Sequence, residues 1–196
     1  MASQAEGLLS EECRVAINQI ASYELHVSDA YLSMACYYTE DTEVPSFHTF
    51  FQDQAEVKRE HAKQFIKYLR KYKCKVCLPV IKRPDIDNWG TGKQAIESAL
   101  QLEKALNTLL QELKTLASKN KETNLSRFMK KFLDEQTRNI SYLEYQLNYQ
   151  KDLEKVAQSE GQPEKAAEAS ETSGKETTSD GNTANLPTQQ VPTSAT

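Results

Sequence analysis

From Lys73 to Gly90 the chain reads KCKVCLPVIKRPDIDNWG, and the length of this stretch decides the fold. It carries Pro79, Pro84, Trp89 and Gly90 and, extended at about 3.3 Å per residue, reaches roughly 55 to 60 Å. On either side, breakers are few and divide the chain into four long helical segments, at about 11–40, 45–72, 91–118 and 123–158. Pro45 fits the first turn of a helix, where its missing N–H costs nothing. Thr91 followed by Gln94 forms a capping box, and Gly161 and Pro163 stop the last segment. A 28-residue helix is only about 42 Å long, so residues 73–90 can run its whole length. The short joints near Thr42 and Lys121 make each flanking pair antiparallel, and the long one leaves the second and third helices parallel. The expected architecture is all-α, a four-helix bundle with one long crossover over residues 10–158.

The 196 residues include 24 Lys+Arg and 28 Asp+Glu. Six acids and two bases fall in residues 159–196, leaving 22 of each before them, so the net charge of -4 belongs wholly to the last 38 residues. That segment has no aromatic residue and only Leu186 and Val191 as large aliphatics. It cannot bury enough apolar surface to offset the entropy of ordering, and is expected to be a disordered Ser/Thr/Glu-rich tail.

No run approaches the roughly 18 apolar residues of a membrane span, and Met1 to Glu11 lacks the basic and apolar regions of a secretory signal. The expected location is the cytoplasm, with Cys13, Cys36, Cys74 and Cys77 reduced. Cys74 and Cys77 have CxxC spacing, but no second CxxC or His pair completes a zinc site; the plainer reading is two small apolar residues in a connection. Lys67, Arg70, Lys71, Lys73 and Lys75 form a basic run. The folded region as a whole is neutral and shows no nucleic-acid reader motif.

The apolar stripes are interrupted at one level. The first helix reads Ile17, Ile20, Glu24, Val27, Tyr31, Met34, Tyr38 at 3 and 4 spacing, and the second Phe51, Gln54, Lys58, His61, Phe65, Tyr68, Tyr72. The fourth reads Met129, Leu133, Gln136, Ile140, Leu143, Leu147. On the third, Glu103 sits beside the row Ala99, Leu102, Leu106, Leu109, Leu113, Leu116. Unpaired buried charges are costly, so these groups should meet one another or a metal. One arrangement is a salt-bridge network with Lys58 between Glu24 and Glu103 and with His61, Gln136 and Tyr31 as hydrogen-bond partners. The other is a coordinated ion, against which the Lys58 cation counts.

Five stretches, in order, resemble the ferritin family, specifically its heavy-chain-like branch, over roughly residues 10–155. They are Tyr23-Glu-Leu-His-Val-Ser-Asp-Ala-Tyr-Leu-Ser-Met34, Lys58-Arg-Glu-His-Ala62, Ile81-Lys-Arg-Pro-Asp-Ile-Asp-Asn-Trp89, Ala99-Leu-Gln-Leu-Glu-Lys104 and Leu133-Asp-Glu-Gln136. The resemblance implies a subunit of a 24-subunit iron-storing shell, with a short fifth helix and, in the heavy type, a di-iron site that oxidises Fe(II). Carried over by position, the site residues are Glu24, Tyr31, His61, Glu103 and Gln136. The bridging glutamate of the family's Glu-x-x-His pair falls on Lys58, as in the light, non-catalytic type. Glu24, Glu103 and Lys58 sum to -1 where three carboxylates would offer -3, so ferroxidase activity is expected to be absent or severely reduced.

Other family positions also depart. Where the resemblance implies acidic residues lining a three-fold pore, this chain has Arg127 and Lys130, and a basic ring repels divalent cations. Beyond Gly161 no apolar face corresponds to the fifth helix, which is therefore absent or degenerate. Asp53, Glu56 and Glu60 share a face of the second helix, as mineral-nucleating carboxylates do in the family, but Lys63 and Lys67 continue that face and suit a solvated surface with local ion pairs. The expected function is iron storage and homeostasis, with iron weakly held or absent at the di-iron site, exercised by co-assembly with other ferritin subunits or as a homo-oligomer. The alternatives are a structural or interaction protein that has lost iron handling, and an independently active ferroxidase.

Overall fold

The computed structural model describes residues 9–38, 45–82 and 88–160. Four helices account for most of them: α1 (Glu11–Tyr37), α2 (Pro45–Lys71), α3 (Gly92–Lys119) and α4 (Thr123–Glu160). Of the expected tail, Ser159 and Glu160 instead continue α4, and residues 161–196, with the place of a fifth helix, lie outside the described residues.

The helix ends follow local chemistry. The Ser10 side chain accepts from the Cys13 N–H to cap α1. Thr91 and Gln94 form the expected capping box at α3, each side chain accepting from the other's backbone N–H. Both α2 and α3 close in a Schellman motif whose left-handed residue is a lysine. Lys73 has φ 55°, with Cys74 N–H donating to Leu69 O, and Lys121 has φ 57°, with Glu122 N–H donating to Ala117 O.

Helix α1 packs on α2 and α3, and α3 on α4. The crossover advances along α1 in the same direction. Cys77 N–H donates to Asn18 Oδ1, the Ser22 hydroxyl to Pro79 O, the Trp89 indole to Ser33 Oγ, and the Tyr38 hydroxyl to Gly90 O. These contacts follow α1 over 20 residues, about 30 Å of helix, so α2 and α3 are parallel as the crossover length predicts.

Two apolar clusters fill the bundle. One gathers Ile17, Phe65, Leu110 and Met129. The other gathers Tyr31, Phe51, Ile96 and Leu143. Each fully buried large side chain contributes about 1.5 to 3 kcal/mol of transfer free energy. The core row of α3 differs from the sequence reading: Ala99, Glu103, Leu106, Leu110 and Leu113 are buried, while Leu102, Leu109 and Leu116 lie at its edges. The helix is turned so that Glu103 is on the core axis, because three other helices supply donors for its carboxylate.

Candidate metal centre

Between the two clusters Glu24, Lys58, Glu103 and Gln136 are buried, and His61 is 12% exposed. Each rises from the middle of a long helix, so its backbone is fixed by the ladder and by apolar neighbours a turn away on both sides.

Glu103 is the hub. Its Oε2 accepts from Lys58 Nζ at 2.7 Å and from Gln136 Nε2 at 2.6 Å. Its Oε1 accepts from the Tyr31 hydroxyl at 2.5 Å and from Asn139 Nδ2 at 2.7 Å. A carboxylate offers about four lone-pair sites, and four donors fill them. Gln136 is held in turn, its amide donating to Glu103 O at 2.8 Å and its oxygen accepting from Lys58 at 3.3 Å. Burial, then the Glu103 charge, pushes the Tyr31 phenol well above its ordinary value, so it stays a neutral donor.

Glu24 is the opposite case. It is 1% exposed, and neither carboxylate oxygen meets a hydrogen-bond partner. His61 Nδ1 lies 3.5 Å from Oε1, beyond an N–H···O bond, while His61 Nε2 is 2.8 Å from Glu135 Oε2. This corrects the expected network: Lys58 does not sit between Glu24 and Glu103 but is bonded to Glu103 and Gln136, and Glu24 faces His61. The hydrogen-bond capacity of the ammonium is drawn to the side where Gln136 lies within its reach.

Glu135 and Asn139 are site residues that the sequence reading missed. Asn139 stands three residues after Gln136 on the same helical face, a spacing that marks it as a neighbour of Glu103. Glu135 is about 100° round the helix from Gln136 and looks like a surface residue. It reaches the site because a cavity of about 710 Å³ separates α2 from α4, lined by Lys58, His61, Gln136, Glu135, Glu60 and Tyr142 among others.

Of the remaining candidates Glu60 reaches that cavity, and the others stand apart. Asp53, Glu56 and Glu60 are exposed, and Glu60 pairs with Lys63 at 3.2 Å. Arg127 and Lys130 are exposed at the start of α4. Cys13 is buried, Cys74 half-buried, and Cys36 and Cys77 are exposed. Among the described residues no three His, Cys, Asp or Glu side chains converge as an ion's ligands, and no helix is long and apolar enough to cross a membrane.

A family model described as a ferritin-like domain matches residues 15–153. Soma ferritin of Lymnaea stagnalis is 40% identical over 143 residues, covering 72% of this chain and 82% of the relative. The ferritin light chain, oocyte isoform, of Xenopus laevis is 35% identical over 143 residues, covering 72% and 81%. The ferritin middle subunit of Salmo salar is 36% identical over 145 residues, covering 73% and 82%. Four helices in this order, joined by a crossover along α1 and sharing a polar centre, together with these matches, place the chain in the ferritin family of iron-storage proteins.

Proposed function

We propose that this chain is an iron-storage subunit with a silenced ferroxidase centre, working in the cytoplasm by co-assembly with active ferritin subunits. The observation that carries the reading is the saturation of Glu103 by Lys58, Gln136, Tyr31 and Asn139. Two adjacent ferrous ions need a bridging carboxylate and enough negative charge to offset them, and here the bridging position holds an ammonium. The donor set does not fit a dinuclear centre. Glu103 and Gln136 are committed to protein partners, which leaves Glu24 and His61 as the pair able to hold a single ion weakly. Iron is then cargo received from neighbouring subunits. The surface carboxylates Asp53, Glu56 and Glu60 are the residues offered to mineral, Glu60 in competition with Lys63.

Residues 159–196 hold six acids, two bases and no aromatic residue. That composition suits a minority subunit in a shell that others close. The test is native mass measurement of the protein alone and co-expressed with a catalytic ferritin subunit, with iron determined on each species. Mixed shells and no stoichiometric Fe(II) oxidation by the isolated chain are expected. Rapid oxidation at two irons per chain, lost on His61→Ala, would overturn the silent centre. A monomer or dimer that never enters shells would favour the second reading, an interaction protein that has lost iron handling, for which Lys58, Arg127 and Lys130 also speak.

A further inference from the structure

A second cavity, about 510 Å³, lies between the last turns of α2 and the first turns of α4. Its wall brings Lys67 and Lys71 from the basic run of α2 against Arg127 of α4, beside the rings of Tyr68, Tyr72 and Phe128. The remaining lining residues are amides, and no carboxylate is among them. The larger cavity differs in this respect, since Glu60 and Glu135 face it.

Several cations elsewhere on the molecule are paired. Lys58, Lys63, Lys93, Lys104, Lys119 and Lys155 each have a carboxylate within 3.2 Å. Among the described residues Lys67, Arg127 and Lys131 form no ion pair. Lys131 Nζ donates to the Gln64 side chain, at the edge of the same cavity, and stands 5.9 Å from the Phe128 centroid. Lys71 Nζ lies 5.7 Å from the Tyr72 centroid. Tyr68 stacks on Phe128 with centroids 4.4 Å apart and meets Tyr72 at 4.9 Å, making a continuous aromatic wall.

Like charges on one wall repel, and apolar rings beside them reduce the screening that water would give. An anion seated there relieves that repulsion, and guanidinium and ammonium groups together suit phosphate oxygens. The cavity volume lies within the range of small-molecule sites. Aromatic side chains next to cations suit a ligand with both a planar ring and a charge.

We infer that this cavity binds a small phosphate-bearing aromatic molecule of the nucleoside monophosphate class, its phosphate on Lys67, Lys71 and Arg127 and its ring against the Tyr68, Tyr72 and Phe128 wall. The site is independent of what happens to iron at Lys58. An ordinary solvated basic face would instead take anions weakly and without regard to the ring.

Calorimetric titration of the full chain with AMP, inorganic phosphate and adenosine at physiological salt separates the two. AMP is expected to bind at least about tenfold more tightly than either half. Arg127→Gln, at an exposed position, and Lys67→Gln should each weaken AMP about fivefold or more, and raised salt should weaken it further. Phe128→Leu, checked for native circular dichroism, should weaken AMP and leave phosphate unchanged. Absence of AMP binding, phosphate as tight as AMP, or AMP binding unchanged in Arg127→Gln would each overturn the site.

Discussion

Lys58 Nζ stands 2.7 Å from Glu103 Oε2 in the middle of the bundle, with 2% of the lysine side chain and none of the glutamate exposed. Removing one partner leaves the other charge in a low-dielectric interior. Lys58→Ala should therefore cost about 3 to 5 kcal/mol. The double change Lys58→Met with Glu103→Gln should recover most of that loss, since the uncompensated charge goes too. Chemical denaturation of the single and double variants reads the difference directly.

Tyr31 makes the centre sensitive to alkali. Burial first, and the Glu103 charge second, keep its phenol protonated well above the ordinary value of 10.0. The folded state then holds a proton that the unfolded state gives up, so this group's contribution is complete below pH 10 and is lost as pH rises beyond it. Burial likewise raises the Tyr68 phenol. Of the nine tyrosines, these two should ionise only as the chain unfolds, which absorbance at 295 nm and circular dichroism would follow together. Ionisation of all nine while the helices persist would contradict it.

The start of α3 depends on Gly90 as well as on Thr91. Gly90 has φ 70°, and a Cβ there would fall 2.0 Å from Oε1 of Gln94, the glutamine of the capping box. Gly90→Ala should cost about 1 to 2 kcal/mol for the left-handed backbone and disturb the cap besides. Thr91→Ala should cost about 1 kcal/mol through the cap alone. Thermal melts of the two variants should rank Gly90→Ala as the less stable.

A stabilising change is available at the other end of the same helix. Lys121 occupies the left-handed position of its Schellman motif at φ 57° and is exposed. Lys121→Gly should raise stability by about 1 kcal/mol, because glycine adopts that conformation without a Cβ penalty. A lower melting temperature would show that the lysine side chain contributes more than its backbone strain costs.

Helix ends and topology were legible because Pro45, Thr91 with Gln94, and the 18 residues from Lys73 to Gly90 act through local sterics and chain length. The level of the polar centre was legible too, since Glu24, Lys58, His61 and Gln136 interrupt periodic stripes. What periodicity does not carry is the rotation of each helix about its axis. That rotation put Glu103 on the core axis instead of beside it and brought the neighbour of Gln136, Glu135, round to His61. It also decided that Lys58 turns to Glu103 and leaves Glu24 without a hydrogen bond. Partner choice among several buried polar groups is a matter of a few ångströms, and spacing along one chain does not resolve it.

The crossover along α1 also governs the lifetime of the fold. Each antiparallel hairpin, α1 with α2 and α3 with α4, closes through a short joint and makes contacts that are near in sequence. The bonds from Asn18, Ser22, Ser33 and Tyr38 to the crossover join residues more than 50 positions apart. Contacts of that separation carry a larger closure entropy and form after local ones. They act on the departure from the native state more than on its formation, so the strap sets how long the two hairpins stay docked rather than how fast each one forms.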